Sequence, residues 1–248
     1  MSDTGHVALA KVLQRAETML AAGAAILDVG GESTRPGARE VSSQEELDRV
    51  LPVVEAINNN FDVIISVDTS NPELISQCAD SGAGLINDVR ALSRDGALSA
   101  ASNSGLPVSL MHMQGTPGNM QEAPNYADVI DDISNYLASR VKACNDAGIG
   151  IDSIILDPGF GFGKTLEHNL ELLRRLDELQ RLELPVLVGV SRKRMIGTIT
   201  GREEKDRVSG SIAASVIGVM NGARIVRTHD VAETVDALKI CNEVLKIS

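Results

Sequence analysis

The sequence predicts an α/β fold, a (β/α)8 TIM barrel with its first strand missing from the chain. Three observations predict it. Short apolar runs alternate strictly with amphipathic helical stretches, the pattern of parallel strands joined by right-handed crossovers. Seven such strands and eight helices occupy 248 residues with no linker and no short repeat, the size of one eightfold barrel. Nearly every strand also runs into a hydrogen-bonding side chain, and a β/α barrel carries its chemistry at the carboxyl ends of its strands. A single domain over residues 1–248 follows, with an open doubly wound sheet as the alternative.

The first periodic segment is a helix with Val12, Leu13, Ala16, Met19 and Leu20 on one face and Gly23 as its stop. Residues 25–30 form a strand that leads into a loop at 31–37. Ser42/Glu45 and Ser43/Glu46 each offer a capping box for a helix burying Leu47, Val50, Leu51 and Val54, which Pro52 bends or breaks. The strand at 63–67 ends at Asp68, and Asn71-Pro72-Glu73 opens a helix that stops near Gly82. A strand at 84–88, a small helix to Gly105 and a strand at 107–112 follow. Beyond a loop holding Gly115, Pro117, Gly118 and Pro124, a helix carries Val129, Ile133, Leu137, Val141 and Cys144 on one face and ends at Gly148. Residues 154–157 read as a strand buried on both faces, because apolar residues run there without alternation. Gly159, Gly161 and Gly163 then let the backbone turn and approach a neighbour closely. A helix at 169–182, a strand at 185–190 ending in Ser191-Arg192-Lys193 and a polar, mobile segment at 196–207 come next. A small-residue helix at 209–221, a strand at 224–229 and a helix at 231–245 complete the chain.

Composition narrows the functions. The net charge of −11 argues against non-specific nucleic-acid binding and against a basic membrane patch, so an anionic ligand must be met by local cations. Aromatic residues are only 2% and Trp is absent, so the core must be built from Ala, Val, Ile and Leu. Cys78, Cys144 and Cys241 are odd in number with no Cys-x-x-Cys pair, which reads as reduced thiols in a cytoplasmic protein. No apolar run reaches transmembrane length, and the start has no signal-peptide pattern.

At the strand ends stand Asp28, Asp68, Asn87, Asp88, His112, Asp157, Lys193, Arg227 and His229. Any one of them reads first as a cap or loop hydrogen bond. As a set they suit a flat, heteroatom-rich ligand, with acids for its N–H edge, Asn for a mixed edge and cations for its oxygens. Arg227-x-His229 places two side chains on one side of the last strand, either beside an N-cap at Asp230 or as an anion site. Gly159–Thr165 is not a P-loop, since that motif needs glycine where Pro158 stands. Nor is it a dinucleotide fingerprint, which needs Ala or Gly where Lys164 falls. Arg192 reads as a solvated surface cation or a site residue in equal measure, and His6 and His168 read as surface residues. No Ser-His-Asp or Cys-His arrangement is legible, which disfavours covalent catalysis.

The chain resembles the dihydropteroate synthase family through seven motifs in order: 28–37, 65–69, 86–88, 110–115, 156–164, 189–193 and 226–231. The resemblance implies a transferase of folate biosynthesis that joins 6-hydroxymethyl-7,8-dihydropterin pyrophosphate to p-aminobenzoate, giving 7,8-dihydropteroate and pyrophosphate. It implies that Asp68, Asn87, Asp157 and Lys193 hold the pterin. Arg227 and His229 would hold the pyrophosphate with Mg²⁺, and Lys193, Arg227 and His229 would be the catalytic set. Thr34, Arg35 and Pro36, with Phe162, Ser191 and Lys193, would frame a p-aminobenzoate pocket open to sulfonamide inhibitors. A cytoplasmic homodimer is implied as well. Family members begin with a strand and loop whose Asn helps bind the metal, and only Ser2-Asp3 of that segment remains here, so no metal ligand is legible. The expectation is a chain shortened at its start by truncation or a misplaced start codon, which bears on metal binding and turnover. The alternatives are a truncated non-catalytic pterin-binding protein and a pterin-dependent methyltransferase domain. The latter would not need the cations at 191–193 and 227–229.

Overall fold

The computed structural model describes residues 3–33, 41–116 and 118–246. Seven parallel strands run through it: β1 (Ile26–Gly30), β2 (Ile64–Asp68), β3 (Leu85–Asp88), β4 (Val108–Met111), β5 (Ile154–Asp157), β6 (Leu187–Val188) and β7 (Ile225–Val226). The first five form one sheet in chain order, and β6 pairs with β7. A bridge between Leu156 and Val186 joins the two sheets, reinforced by the Leu156 N–H donating to the Pro185 carbonyl at 2.9 Å. The wall is therefore continuous from β1 to β7. It also curls, because Arg227 after β7 reaches Asp28 on β1 at 2.6 Å. Among the described residues β1 has one strand neighbour, β2, and β7 has one, β6. The architecture is an α/β barrel.

Among the described residues nine α-helices lie between and beside the strands, with two of them between β6 and β7: α1 (Asp3–Ala21), α2 (Ser43–Asn60), α3 (Pro72–Asp80), α4 (Ala97–Ser104), α5 (Val129–Asp146), α6 (Leu166–Arg174), α7 (Arg194–Thr200), α8 (Val208–Met220) and α9 (Val231–Leu245). Their starts follow local chemistry. The Ser42 hydroxyl accepts from the Glu45 N–H, Asn71 caps α3 with Pro72 in its first turn, and the Asp128 carboxylate caps α5 twice.

Four expectations need correction. Helix α2 runs unbroken through Pro52, held by Leu47, Val50, Val54 and Ile57 in the core. The segment at 196–207 begins in a helix: Met195 and Ile196 are buried and fasten α7, the helix beyond the eight expected. The helix expected at 169–182 starts earlier, because Thr165 and His168 form a capping box. It also breaks at Arg175 into α6 and a 3-10 helix over Leu176–Leu182. His168 is thus a capping residue rather than a plain surface one. Strands β6 and β7 have two residues each, so Arg227 and His229 lie on the loop after β7 and not within a strand.

Buried apolar residues among those described form three clusters. One cluster packs α1 and α2 on β1 and β2 around Val54, Ile65, Val67 and Leu74. A larger one surrounds β3 to β6, with Phe160 and many Leu, Ile and Val side chains. A third, small cluster of Val89, Met111, Met120 and Phe162 lies at the mouth, where the strand ends meet.

Candidate active site

Asp68, Asn87, Asp157, Phe162, Lys193 and Arg227 line one cavity at the carboxyl ends of the strands. Parallel register aligns the ends of β2, β3, β4 and β5, so residues far apart in sequence converge there. Val89, Met111, Phe160, Gly159 and Gly189 complete the lining; Gly159 is one of the glycines expected to approach a neighbour closely, Met111, Phe160 and Gly189 fall within the seven motifs, and Val89 lies one residue beyond one. The only sequence signal for Val89 is its adjacency to a polar strand end.

Asp157 is buried and directs one carboxylate oxygen to the Gly159 N–H at 2.7 Å. Burial pushes its pKa upward, while that N–H and the charges of Lys193, Lys164 and Arg227 favour the ionised form. Lys193 holds its ammonium 4.2 Å from the centre of the Phe162 ring, a cation–π contact that joins two expected site residues. Asn87 is buried, its amide 3.5 Å from the Asp28 carboxylate.

The cation Arg227 lies between two acids. Its Nε donates to Asp28 at 2.6 Å and a terminal nitrogen donates to Asp68 at 3.4 Å. Asp28 also accepts from the Ser66 hydroxyl at 2.6 Å. Burial, and then the like charge of Asp28, push the Asp68 pKa up to about 7, with Arg227 opposing the rise. Asp28, named among the strand ends but given no role, is therefore the residue that holds Arg227 in place.

His229 and Ser191 pair with each other. The Ser191 hydroxyl accepts from the His229 backbone N–H at 3.2 Å and lies 3.0 Å from its Nδ1. Partial burial and the neighbouring Arg227 and Arg192 lower the His229 pKa, which favours neutral imidazole. Arg192 forms a two-pronged ion pair with Asp230, so it is neither free surface nor a cavity residue. The expected cap at Asp230 instead ties the loop after β7 to the loop after β6.

Two strand-end residues turn away. Asp88 accepts from the Ser70 hydroxyl and from the Arg90 and Leu92 N–H groups, and so organises its own loop. His112 packs against Tyr126 and Tyr136 and meets Lys164. Burial, and then the Lys164 charge, lower the His112 pKa to about 3. Burial likewise lowers that of Lys164, to about 7, with Asp157 working against the fall. Thr34, Arg35 and Pro36 lie outside the described residues. No group of three or more His, Cys, Asp or Glu side chains among the described residues is placed to hold a metal ion.

The glycine-rich loop after β5 lies directly on residues 112–114. A Cβ at Gly159, where φ is +70°, would come 1.9 Å from the His112 carbonyl oxygen, and one at Gly163 would come 2.5 Å from that of Gln114. Gly159→Ala should therefore lower stability by about 3 kcal/mol. Chemical denaturation checks this, and an unperturbed variant would show that the loop need not lie so close.

Fold and cavity together define a β/α barrel of the enzyme type, whose strand-end cavity gathers Asp68, Asn87 and Asp157 with Lys193 and Arg227. Residues 1–229 match the family described as pterin binding enzyme. Dihydropteroate synthase of Escherichia coli K12 is 54% identical over 245 residues, covering 98% of this chain and 87% of the relative. The Yersinia pestis dihydropteroate synthase, solved with a sulfonamide drug complex, superposes with a TM-score of 0.93 at 54% identity, covering 94% of this chain and 85% of that one. The Xanthomonas albilineans dihydropteroate synthase with 4-aminobenzoic acid gives 0.89 at 45% identity, covering 99% and 88%. The chain belongs to the dihydropteroate synthase family.

Proposed function

We infer that the chain condenses 6-hydroxymethyl-7,8-dihydropterin pyrophosphate with p-aminobenzoate, releasing pyrophosphate and forming 7,8-dihydropteroate. The observation that carries this reading is one cavity lined by Asp68, Asn87 and Asp157 for a hydrogen-bonding heterocycle and by Lys193 and Arg227 for anionic groups. A methyltransferase of the same barrel type would have no use for the cations.

In this reading the pterin N–H edge donates to the Asp157 oxygen that Gly159 leaves available, with Asn87, Asp68 and Lys193 on its other heteroatoms. Pyrophosphate is met by Arg227 and His229. The bond from methylene carbon to pyrophosphate oxygen breaks with its electron pair on the leaving group, whose growing charge the cations stabilise. The amine lone pair of p-aminobenzoate forms the new C–N bond, and the nitrogen then loses its extra proton. No side-chain nucleophile is needed. Phe162, Lys193 and Ser191 frame the p-aminobenzoate pocket, where sulfonamides would compete. Lys193, Arg227 and His229 form the catalytic set.

Mg²⁺ enters as an assay component that the family resemblance implies. The described residues do not fit a resident metal site, and no step above runs through one. A homodimer is supported by exposed apolar side chains on two helices packed together, Ile217 and Met220 on α8 and Ile240 and Val244 on α9. A cytoplasmic setting accords with three free, buried cysteines, and no described helix is long and apolar enough to cross a membrane.

Incubation with dihydropterin pyrophosphate, p-aminobenzoate and Mg²⁺ tests the activity. Pyrophosphate release should depend on p-aminobenzoate. Pterin binding without such release would replace this reading with the non-catalytic one.

A further inference from the structure

Lys164 ends the glycine-rich motif, and neither the substrate contacts nor the reaction above use it. The residue is only 3% exposed, which for lysine requires full hydrogen bonding. Three partners surround Nζ: the Gly159 carbonyl at 2.9 Å, the Phe162 carbonyl at 3.0 Å and His112 Nδ1 at 3.1 Å. The two carbonyls belong to the ends of one tight turn, which the Phe162 N–H also closes onto the Gly159 carbonyl at 3.1 Å. At one end of that turn the Gly159 N–H holds the Asp157 carboxylate. At the other the Phe162 ring supports the Lys193 ammonium. A single amine therefore touches the supports of both halves of the cavity.

We propose that Lys164 is a positioning residue for the reaction, a clasp that fixes the Gly159–Phe162 turn and thereby aims Asp157 at the pterin and Phe162 at p-aminobenzoate. The substrate assignment rests on the function proposed above; the clasp rests on the contacts. Lysine with histidine suits this task for a specific chemical reason. As an ammonium, Lys164 donates to two carbonyls and to a neutral His112 protonated at Nε2. As a neutral amine, it still donates to both carbonyls and accepts from His112 protonated at Nδ1 instead. All three contacts survive the loss of the proton, so the turn is held on both sides of the lysine titration. Tyr126 encloses the pair, its hydroxyl donating to the Gly163 carbonyl at 2.6 Å and its ring 5.9 Å from Nζ.

Lys164→Met keeps much of the length and removes every bond. In the folded variant the dissociation constant for 6-hydroxymethylpterin and the KM for p-aminobenzoate should both rise, each about tenfold or more. A role confined to stability would lower the yield of folded enzyme and leave both constants unchanged in what folds. Should Lys164→Met fail to fold, His112 decides: His112→Asn offers Nζ an amide that can accept or donate, and His112→Phe offers neither. Asn should then stay close to the wild type, while Phe raises both constants severalfold. Wild-type constants in folded Lys164→Met, or equal behaviour of the two His112 variants, would overturn the proposal. Pterin titration needs no turnover, so absence of pyrophosphate release from the wild type would sink the proposed function and leave this comparison readable.

Discussion

Asp157→Asn should weaken the binding of 6-hydroxymethylpterin by about a hundredfold, without loss of folding stability at neutral pH. The carboxylate is buried, with one oxygen bonded to the Gly159 N–H and the other left for the ligand. Charge-assisted hydrogen bonds contribute about 1.5–3 kcal/mol each, and the substitution removes the charge while placing an N–H₂ beside a donor edge. Burial raises the pKa of Asp157, so the folded state holds its proton to higher pH than the unfolded chain does. The associated stability is present below the unfolded value and lost as pH rises through the folded one. Asn escapes that loss, so the variant should match or exceed wild-type stability at neutral pH while binding poorly. Wild-type pterin affinity should fall as acidification protonates Asp157, and the variant should lack that limb. Fluorescence titration across pH reads all of this, and unchanged affinity in Asp157→Asn would remove Asp157 as the anchor.

Arg227→Ala should reduce turnover by two to three orders of magnitude, the scale of losing a charge-stabilising group at a developing anion. It should spare the binding of pterin that carries no pyrophosphate. The same substitution leaves Asp28 and Asp68 facing each other without their shared cation. Breaking a fully buried pair costs about 3–5 kcal/mol. Because the Arg227 side chain is 46% exposed, solvent screening reduces this to about 2 kcal/mol. The penalty should depend on pH. With its pKa raised from 3.8 to about 7, Asp68 keeps a proton in the folded state across that window. Stability from this proton is complete below the lower value and fades as pH rises through the upper one. Without Arg227 the upper limit moves higher, so the variant should suffer most above pH 7 and least near pH 4. Adding Asp68→Asn should restore the stability of Arg227→Ala but not its turnover. A penalty independent of pH would show that the acids do not act as a coupled pair.

The two acids also show where sequence reading stops. Asp28, Asp68 and Asp157 stand out in the chain because each ends an apolar run, and that much is local. That Arg227 would be shared by two of them is not, since Arg227 and Asp28 are 199 positions apart and meet only through the curl of the sheet. The same holds for Ser191 with His229 and for Arg192 with Asp230, where neighbouring strand exits bond across a gap of 38 residues. Asp88 shows the opposite case. Its place at a strand end looks identical in sequence, yet it turns into its own loop because the Arg90 and Leu92 N–H groups lie nearer than the cavity does.

The sequence by itself determined the strand–helix alternation, the helix starts at Ser42 and Asn71, the glycines after β5 and the identity of most cavity residues. These depend on periodicity, backbone freedom and short-range hydrogen bonds, which a few neighbouring residues encode. Only the tertiary structure decided that α7 is a helix, that β6 and β7 are short, that Asp28 holds Arg227, and that Lys164 clasps the turn beneath both halves of the cavity. Each of those outcomes depends on which side chains the curved wall brings within about 3 Å of one another, and that is a property of packing between distant segments.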